Sequence, residues 1–166
     1  MGYDLRLPPQ QYQDLLEEKI LAENITASDV ASIIRYKSNT KVKIGDVEIN
    51  FLKTTHSNDS HAIKLSNKDV SLGYTGDISA DDIDLCSYFF LNCDAIIAEC
   101  ALPQNYPKPL KHLRPYDCAN LKNKSKAKSI YLTHFFPLED EKNYLKTCQE
   151  KTDNVFIAYE NLAFEL

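Results

Sequence analysis

The fold is decided by Val70-Ser71-Leu72-Gly73-Tyr74-Thr75-Gly76-Asp77, an extended apolar segment that ends abruptly in Gly-Asp. This pattern is typical of a β-strand followed by a turn. A carboxylate placed just past a strand end, beside a glycine, lies where active-site groups often lie. Taken alone, Asp77 is more simply explained as a turn-forming residue.

Two histidines occupy comparable positions on either side of this stretch. His56 ends the run Leu52-Lys53-Thr54-Thr55-His56, and His134 ends Ile130-Tyr131-Leu132-Thr133-His134. Each of them alone is more simply a polar surface residue or a satisfied core histidine. Because imidazole and carboxylate groups are common metal ligands, three of them at strand ends predict one metal-binding edge of a sheet.

The order of these residues, with His112 added, resembles the C-terminal half of the metallo-β-lactamase superfamily. The likeness is greatest to its ribonuclease Z-like and related phosphodiesterase branches. It extends from about Lys41 to Leu166. Four motifs carry it, and they are Thr54-Thr55-His56, Tyr74-Thr75-Gly76-Asp77, Lys111-His112-Leu113-Arg114-Pro115 and Leu132-Thr133-His134-Phe135.

The resemblance implies roles for five residues. Asp77 is expected to bridge two metal ions, with His56 on one ion and His134 on the other. His112 is expected to lie behind the ligands or on a substrate phosphate, helping proton transfer to the leaving oxygen. Glu99 is expected to line the site, or else to be a strand-end carboxylate that a neighbouring amide satisfies. The catalytic set is therefore Asp77, His112 and Glu99.

The implied fold is α/β, half of an αββα sandwich, with a mixed and mostly antiparallel sheet. The implied activity is metal-dependent hydrolysis of a phosphodiester, with zinc as the first candidate and manganese or iron as alternatives. RNA is a possible substrate by resemblance. A cyclic nucleotide, a small phosphodiester and a thioester remain open. The alternative is a metal-free binding or scaffold module derived from this fold.

The upstream motif of that superfamily, His-x-His-x-Asp-His, has no counterpart here. The chain has four histidines, and no two of them are separated by a single residue. Asp77 and His134 are two ligands, fewer than the three protein ligands usual at catalytic zinc. We therefore expect weak metal binding and no activity from this chain alone. It is interpreted as a fragment of a hydrolase, one half of a split enzyme, or a metal-free descendant.

Composition is that of an ordinary globular protein of 166 residues with a formal net charge of −5. Five cysteines, an odd number without a Cys-x-x-Cys pair, favour reduced thiols and a cytoplasmic location. Neither a signal peptide nor an apolar run of roughly 20 residues is present. A basic cluster is interpreted as a solvated helix face or a phosphate-facing patch, and it comprises Lys108, Lys111, Arg114, Lys122, Lys124, Lys126 and Lys128.

One partial domain, 1–166, is predicted, with a helical N-terminal segment over 1–40 and the sheet and motifs over 41–166. Apolar spacing predicts helices over 10–23, after 26, over 81–91, over 112–126 and over 140–150. Within the third of these, Ile83, Leu85, Tyr88 and Phe89 are expected to point inward. A terminal hairpin is predicted over 155–166. Alternating strands without an opposite sheet predict a homodimer or a covering N-terminal portion.

Overall fold

The computed structural model describes Tyr36, Ser38 and residues 40–107, 111–137 and 139–163. The helices predicted over 10–23 and after 26 lie outside the described residues, as does most of the N-terminal segment 1–40. The division of the chain into 1–40 and 41–166 stays a prediction.

Within the described residues, seven strands form one sheet whose spatial order follows the sequence. They are β1 (Lys41–Ile44), β2 (Val47–Lys53), β3 (His61–Ser66), β4 (Ser71–Tyr74), β5 (Ala95–Glu99), β6 (Ser129–Thr133) and β7 (Val155–Ile157). The pairings from β1 to β4 are antiparallel, and those from β4 to β7 are parallel. The sheet is mixed, as predicted. Its pairings divide equally, whereas the sequence predicted a mostly antiparallel sheet.

The end of the chain differs from the predicted hairpin. β7 pairs in parallel with β6, Ile130 lying beside Val155. After it the chain turns, with the Leu162 N–H donating to the Tyr159 carbonyl at 3.1 Å. Leu162 and Ala163 are not in a strand, and residues 164–166 lie outside the described part.

Three α-helices connect the parallel strands, namely α1 (Ile83–Phe89), α2 (Pro115–Ser125) and α3 (Glu141–Gln149). A 3-10 turn, Ala80–Asp82, leads into α1. Pro115 opens α2, where its missing N–H costs nothing. The Asp140 carboxylate caps α3 by accepting from the Lys142 N–H. The three predicted helices in this region are therefore present, each slightly shorter than expected.

The helices cover one face of the sheet. The side chains in the central row of that face are small or aliphatic. Gly73, Ile96, Ile130 and Val155 lie side by side across β4 to β7 and are buried. The Phe90 ring lies directly on Gly73, where an added Cβ would come within 2.7 Å of the ring. Gly73 is therefore required by the close approach of Phe90 to the sheet.

The buried face of α1 differs from the face that the sequence predicted. Ile83 and Cys86 are buried, but Leu85 is 50% exposed and Tyr88 is 80% exposed. The prediction for Leu85 and Tyr88 is wrong because a helix of two turns shows apolar spacing on more than one face. The anchoring of Phe90 on the sheet selects the face that contains Ile83 and Cys86.

The opposite face of the sheet carries an apolar row at one register. Adjacent strands place its members side by side, and they are Phe51, Ile63, Tyr74, Ile97, Tyr131 and Phe156. Tyr36 stacks on Phe51 with ring centroids 3.9 Å apart. Tyr74 is 43% exposed and Phe156 is 45% exposed. We call these six residues the aromatic row.

The basic cluster around α2 is mostly neutralised. Lys122 pairs with Asp153 at 3.0 Å, and Lys124 pairs with Asp84 at 2.5 Å. Lys122 is buried, so it is not part of a solvated helix face. Arg114 and Lys128 are paired with carboxylates in the same way, while Lys108 lies outside the described residues, so the phosphate-facing alternative stays a prediction.

All five cysteines are free and buried, as predicted for reduced thiols used as small apolar residues. Among the described residues, no helix has the length and apolar character needed to cross a membrane.

Gly73→Ala is expected to destabilise the protein by about 1–3 kcal/mol, because its methyl group collides with the Phe90 ring. Urea unfolding measures the change. The double variant with Phe90→Leu is the control, since a smaller side chain at position 90 relieves the collision. The double variant should lose less free energy of unfolding than the two single variants lose together. Strict additivity would show that the Phe90 contact does not limit residue 73.

Candidate metal centre

Four strand ends meet at one edge of the sheet. β2 and β4 are both antiparallel to β3, so they run in the same direction, and β5 and β6 are parallel to β4. The segments that follow these strands therefore leave the sheet at the same edge. They carry His56, Asp77 and His134, and Glu99 is the last residue of β5 at the same edge.

The turn after β4 positions Asp77. The Thr75 N–H donates to the Ile97 carbonyl at 3.0 Å, and the Thr75 hydroxyl donates to the Gly76 carbonyl at 2.7 Å. Gly76 has a φ of 56°, a left-handed conformation that favours glycine. Asp77 therefore emerges from a turn that is anchored on both sides.

Asp77 lies between two of the predicted ligands and faces each with a different oxygen. His56 Nε2 is 3.7 Å from Asp77 Oδ2, and His134 Nδ1 is 3.3 Å from Asp77 Oδ1. His134 has a left-handed φ of 59°, which turns the chain sharply after β6. The structure thus brings these three residues together, and their role as ligands stays a prediction.

His112 reaches the same cluster from the loop that precedes α2. Its ring centroid is 4.8 Å from that of His56 and 5.5 Å from that of His134. Its Nδ1 lies 3.0 Å from Glu99 Oε1. Burial lowers the pKa of His112, Asp77 raises it and His56 lowers it, so the net effect favours the neutral ring. A neutral imidazole is the form that binds metals.

Glu99 is a buried carboxylate, 2% exposed, that accepts four hydrogen bonds. The donors are Ile78 N and His112 Nδ1 on Oε1, and Ala101 N and Leu113 N on Oε2. Burial raises the pKa of Glu99 to about 7, while the three backbone donors act in the opposite direction. Neighbouring amides therefore satisfy Glu99, as one of its two interpretations predicted, and its place in a catalytic site stays a prediction.

Hydrogen bonds determine which nitrogen of two rings is available. His56 Nδ1 lies 2.7 Å from the Lys111 carbonyl oxygen, which can only accept, so this nitrogen carries the proton. His112 Nδ1 likewise donates to Glu99. In the neutral form of each ring, Nε2 is therefore the nitrogen that is free to bind a metal. The residues thus fit a divalent metal, whose histidine ligands commonly donate their second nitrogen to a carbonyl or carboxylate.

Some residues that position the site were missed by sequence reasoning. The Asp82 carboxylate accepts from the Thr55 N–H, the Thr55 hydroxyl and the Ser79 N–H at 3.0 to 3.1 Å. It therefore ties the segment carrying His56 to the turn after Asp77. Asp82 lies in a predicted helix start, where a solvated acidic residue is the ordinary expectation, so its sequence context offered no signal.

Glu99→Gln is expected to destabilise the protein by at least about 2 kcal/mol at pH 8, where the carboxylate is ionised. Glutamine has one acceptor oxygen, so its amide NH₂ would face two of the four donors. Thermal and urea unfolding measure the loss. Glu160→Gln, in an exposed turn, is the matched control and should change stability by less than about 0.5 kcal/mol. Equal stability of the two variants would contradict the four-donor arrangement.

No protein-family model and no curated protein sequence matches the chain. Solved structures match it at low identity. The metallo-beta-lactamase fold protein YhfI from Bacillus subtilis is 22% identical with a TM-score of 0.78, over 90% of this chain and 62% of that protein. An isothiocyanate hydrolase from Delia radicum gut bacteria is 14% identical with a TM-score of 0.60, over 90% of this chain and 65% of that protein. The short form of human tRNase Z is 19% identical with a TM-score of 0.51, over 70% of this chain and 42% of that protein.

Identities at this level establish a common fold and leave activity open. The chain spans less than two-thirds of the length of each of these proteins. What the chain shares with them is the α/β arrangement of a mixed sheet with helices. The chain therefore has the α/β fold of the metallo-beta-lactamase proteins, as its motifs predicted.

Proposed function

We propose that this protein is a metal-dependent hydrolase that acts on phosphodiesters. One observation carries the proposal, namely the position of Asp77 between His56 and His134 at the edge where the strands end. A carboxylate flanked by imidazoles suits zinc first, and manganese or iron as alternatives. The ligands proposed from the resemblance are His56, Asp77 and His134. A bound ion would supply Lewis acidity and lower the pKa of a bound water.

Glu99 and His112 form the proposed proton-handling part of the site. The carboxylate holds the ring through Nδ1 and leaves Nε2 available. From there His112 would contact either the leaving oxygen of the substrate or the ion itself. The buried position of Glu99 excludes water from its side of the ring, which keeps the ring orientation constant.

The proposed substrate is a phosphodiester, and RNA is the proposed macromolecular partner. The site is open, since the His134 side chain is 51% exposed, so a polymer can reach it. One protein of the same fold is a tRNase Z, and another is an isothiocyanate hydrolase. The fold therefore supports hydrolysis more firmly than it supports any one substrate. The buried free cysteines support a reducing location, which we propose to be the cytoplasm.

A metal-free binding or scaffold module is the second candidate. It is favoured by the lack of a His-x-His-x-Asp-His motif within these 166 residues. The two candidates differ in their dependence on metal. A hydrolase loses its activity on chelation, and a metal-free module binds its partner equally well with and without a chelator.

The ligand count predicted no activity from this chain alone, but the clustering of His56, Asp77 and His134 leads us to expect slow, metal-dependent hydrolysis of bis(p-nitrophenyl) phosphate with zinc or manganese added. Asp77→Asn should reduce the rate at least about 100-fold, because its amide cannot supply the negative charge between the histidines. Asp46→Asn, in the exposed β1–β2 turn, should leave the rate unchanged. Equal rates for wild type and Asp77→Asn with every metal would contradict the hydrolase proposal and favour the binding module.

We also propose that a second copy of the chain covers the aromatic row. A row that crosses six strands can meet itself about a twofold axis, as in isologous dimers. Light scattering over a concentration series should show a dimer. Phe156→Lys should shift it toward monomer, whereas Tyr88→Lys, exposed on α1, should not. A strictly monomeric wild type would instead indicate that the chain covers this row itself.

A further inference from the structure

We propose that Lys53 and Lys111 form a binding site for a second phosphate group of an RNA substrate, beside the phosphate that the proposed function places at the histidines. The proposal rests on the proposed function for the position of that first phosphate. It concerns how RNA is bound, however, so it can be tested without metal and without hydrolysis. We call Lys53 and Lys111 the lysine pair.

Both ammonium groups are bound to the loop that carries His56. Lys111 Nζ donates to the His56 carbonyl at 2.9 Å. Lys53 Nζ donates to the Ser57 and Ser60 carbonyls at 2.5 and 3.2 Å. The lysine pair therefore binds the carbonyls of two consecutive residues, although Lys53 ends β2 and Lys111 lies in the loop before α2. One loop thus holds two positive charges close together.

Neither of these two charges is neutralised. Lys122, Lys124 and Lys128 each pair with a carboxylate, whereas neither member of the lysine pair does so among the described residues. A backbone carbonyl is a neutral acceptor, so it holds an ammonium group without cancelling its charge. An ammonium group has three N–H donors, so Lys111 keeps two of them and Lys53 keeps one for a further acceptor. Phosphate oxygens are strong acceptors for such donors.

The lysine pair lies next to the residues at which hydrolysis is proposed. Lys111 and His56 are joined twice, because His56 Nδ1 also donates to the Lys111 carbonyl at 2.7 Å. The other nitrogen of that ring, Nε2, lies 3.7 Å from Asp77 Oδ2. A phosphate held at Asp77 would therefore have the lysine pair beyond the His56 ring, within reach of the next phosphate of an RNA strand.

The overall charge of the chain makes these two cations important. The formal net charge is −5, so the protein as a whole does not attract RNA. Binding of nucleic acid depends on lysine and arginine side chains that contact phosphates, and each contact adds to the salt dependence of the affinity. A substrate with a single phosphate would leave the lysine pair unoccupied. The lysine pair therefore favours RNA over a small phosphodiester.

Fluorescence anisotropy of a labelled, short, single-stranded RNA, measured with a chelator present, tests this site. The affinity of the wild type should fall as salt is added. In Lys53→Met and in Lys111→Met, the plot of log affinity against log salt should each become less steep by about 0.7. Lys111→Arg keeps the charge and should restore the wild-type slope. Lys146→Met, exposed on α3, is the matched control for net charge and should leave the slope unchanged. Thermal unfolding checks that each variant is folded.

A second measurement needs no variant. In ¹³C-labelled wild type, adding the unlabelled RNA should shift the Cε resonances of Lys53 and Lys111 and leave that of Lys146 unchanged.

Three results would overturn the proposal: no RNA binding by folded wild type, unchanged slopes in both methionine variants of the lysine pair, or an equal change in Lys146→Met. Displacement of the RNA by ADP at the same phosphate concentration would overturn the assignment to RNA, because a small diphosphate would then fill the site equally well. RNA binding through the lysine pair without hydrolysis on addition of metal would overturn the proposed activity alone.

Discussion

The site depends on the buried carboxylate of Glu99. A carboxylate this deep costs several kcal/mol if it is left unpaired, so it is tolerated only because donors surround it. The donors come from three separate segments, with Ile78 following β4, Ala101 following β5, and Leu113 and His112 preceding α2. The hydrogen bonds to the Glu99 carboxylate therefore hold three loops together. The position of the His112 ring is a direct consequence of that joining.

Strand direction supplies the second constraint. β2 and β4 run alike because each is antiparallel to β3, and the parallel strands β5 and β6 continue the same direction. The polar residues at and just after the ends of these strands therefore lie close together at one edge of the sheet. A rigid sheet thereby positions side chains that lie on loops, which is the common way in which folds carry chemistry. His56 and Asp77 meet for this reason, although 21 residues separate them in the sequence.

The two faces of the sheet differ in how closely they are packed. The helix-covered face is closely packed, and the contact between Gly73 and the Phe90 ring shows how little space remains there. The aromatic row lies on the other face, where Tyr74 and Phe156 keep a large exposed fraction. Since the site lies at the edge between these faces, a partner on the aromatic row would leave the loops of the site accessible.

The sequence by itself determined most of the strands, the three described helices, the α/β class and the strand-end positions of His56, Asp77 and His134. These features follow from local periodicity and from turn residues, which need only neighbouring positions. Only the tertiary structure decided that β7 pairs in parallel, that Tyr88 lies outside, and that Glu99 holds His112. Each of those outcomes joins segments whose approach depends on packing, such as Glu99 and His112, which are thirteen positions apart. The contact between the His112 ring and Glu99 could not be derived from spacing alone, because a loop brings the ring to the site.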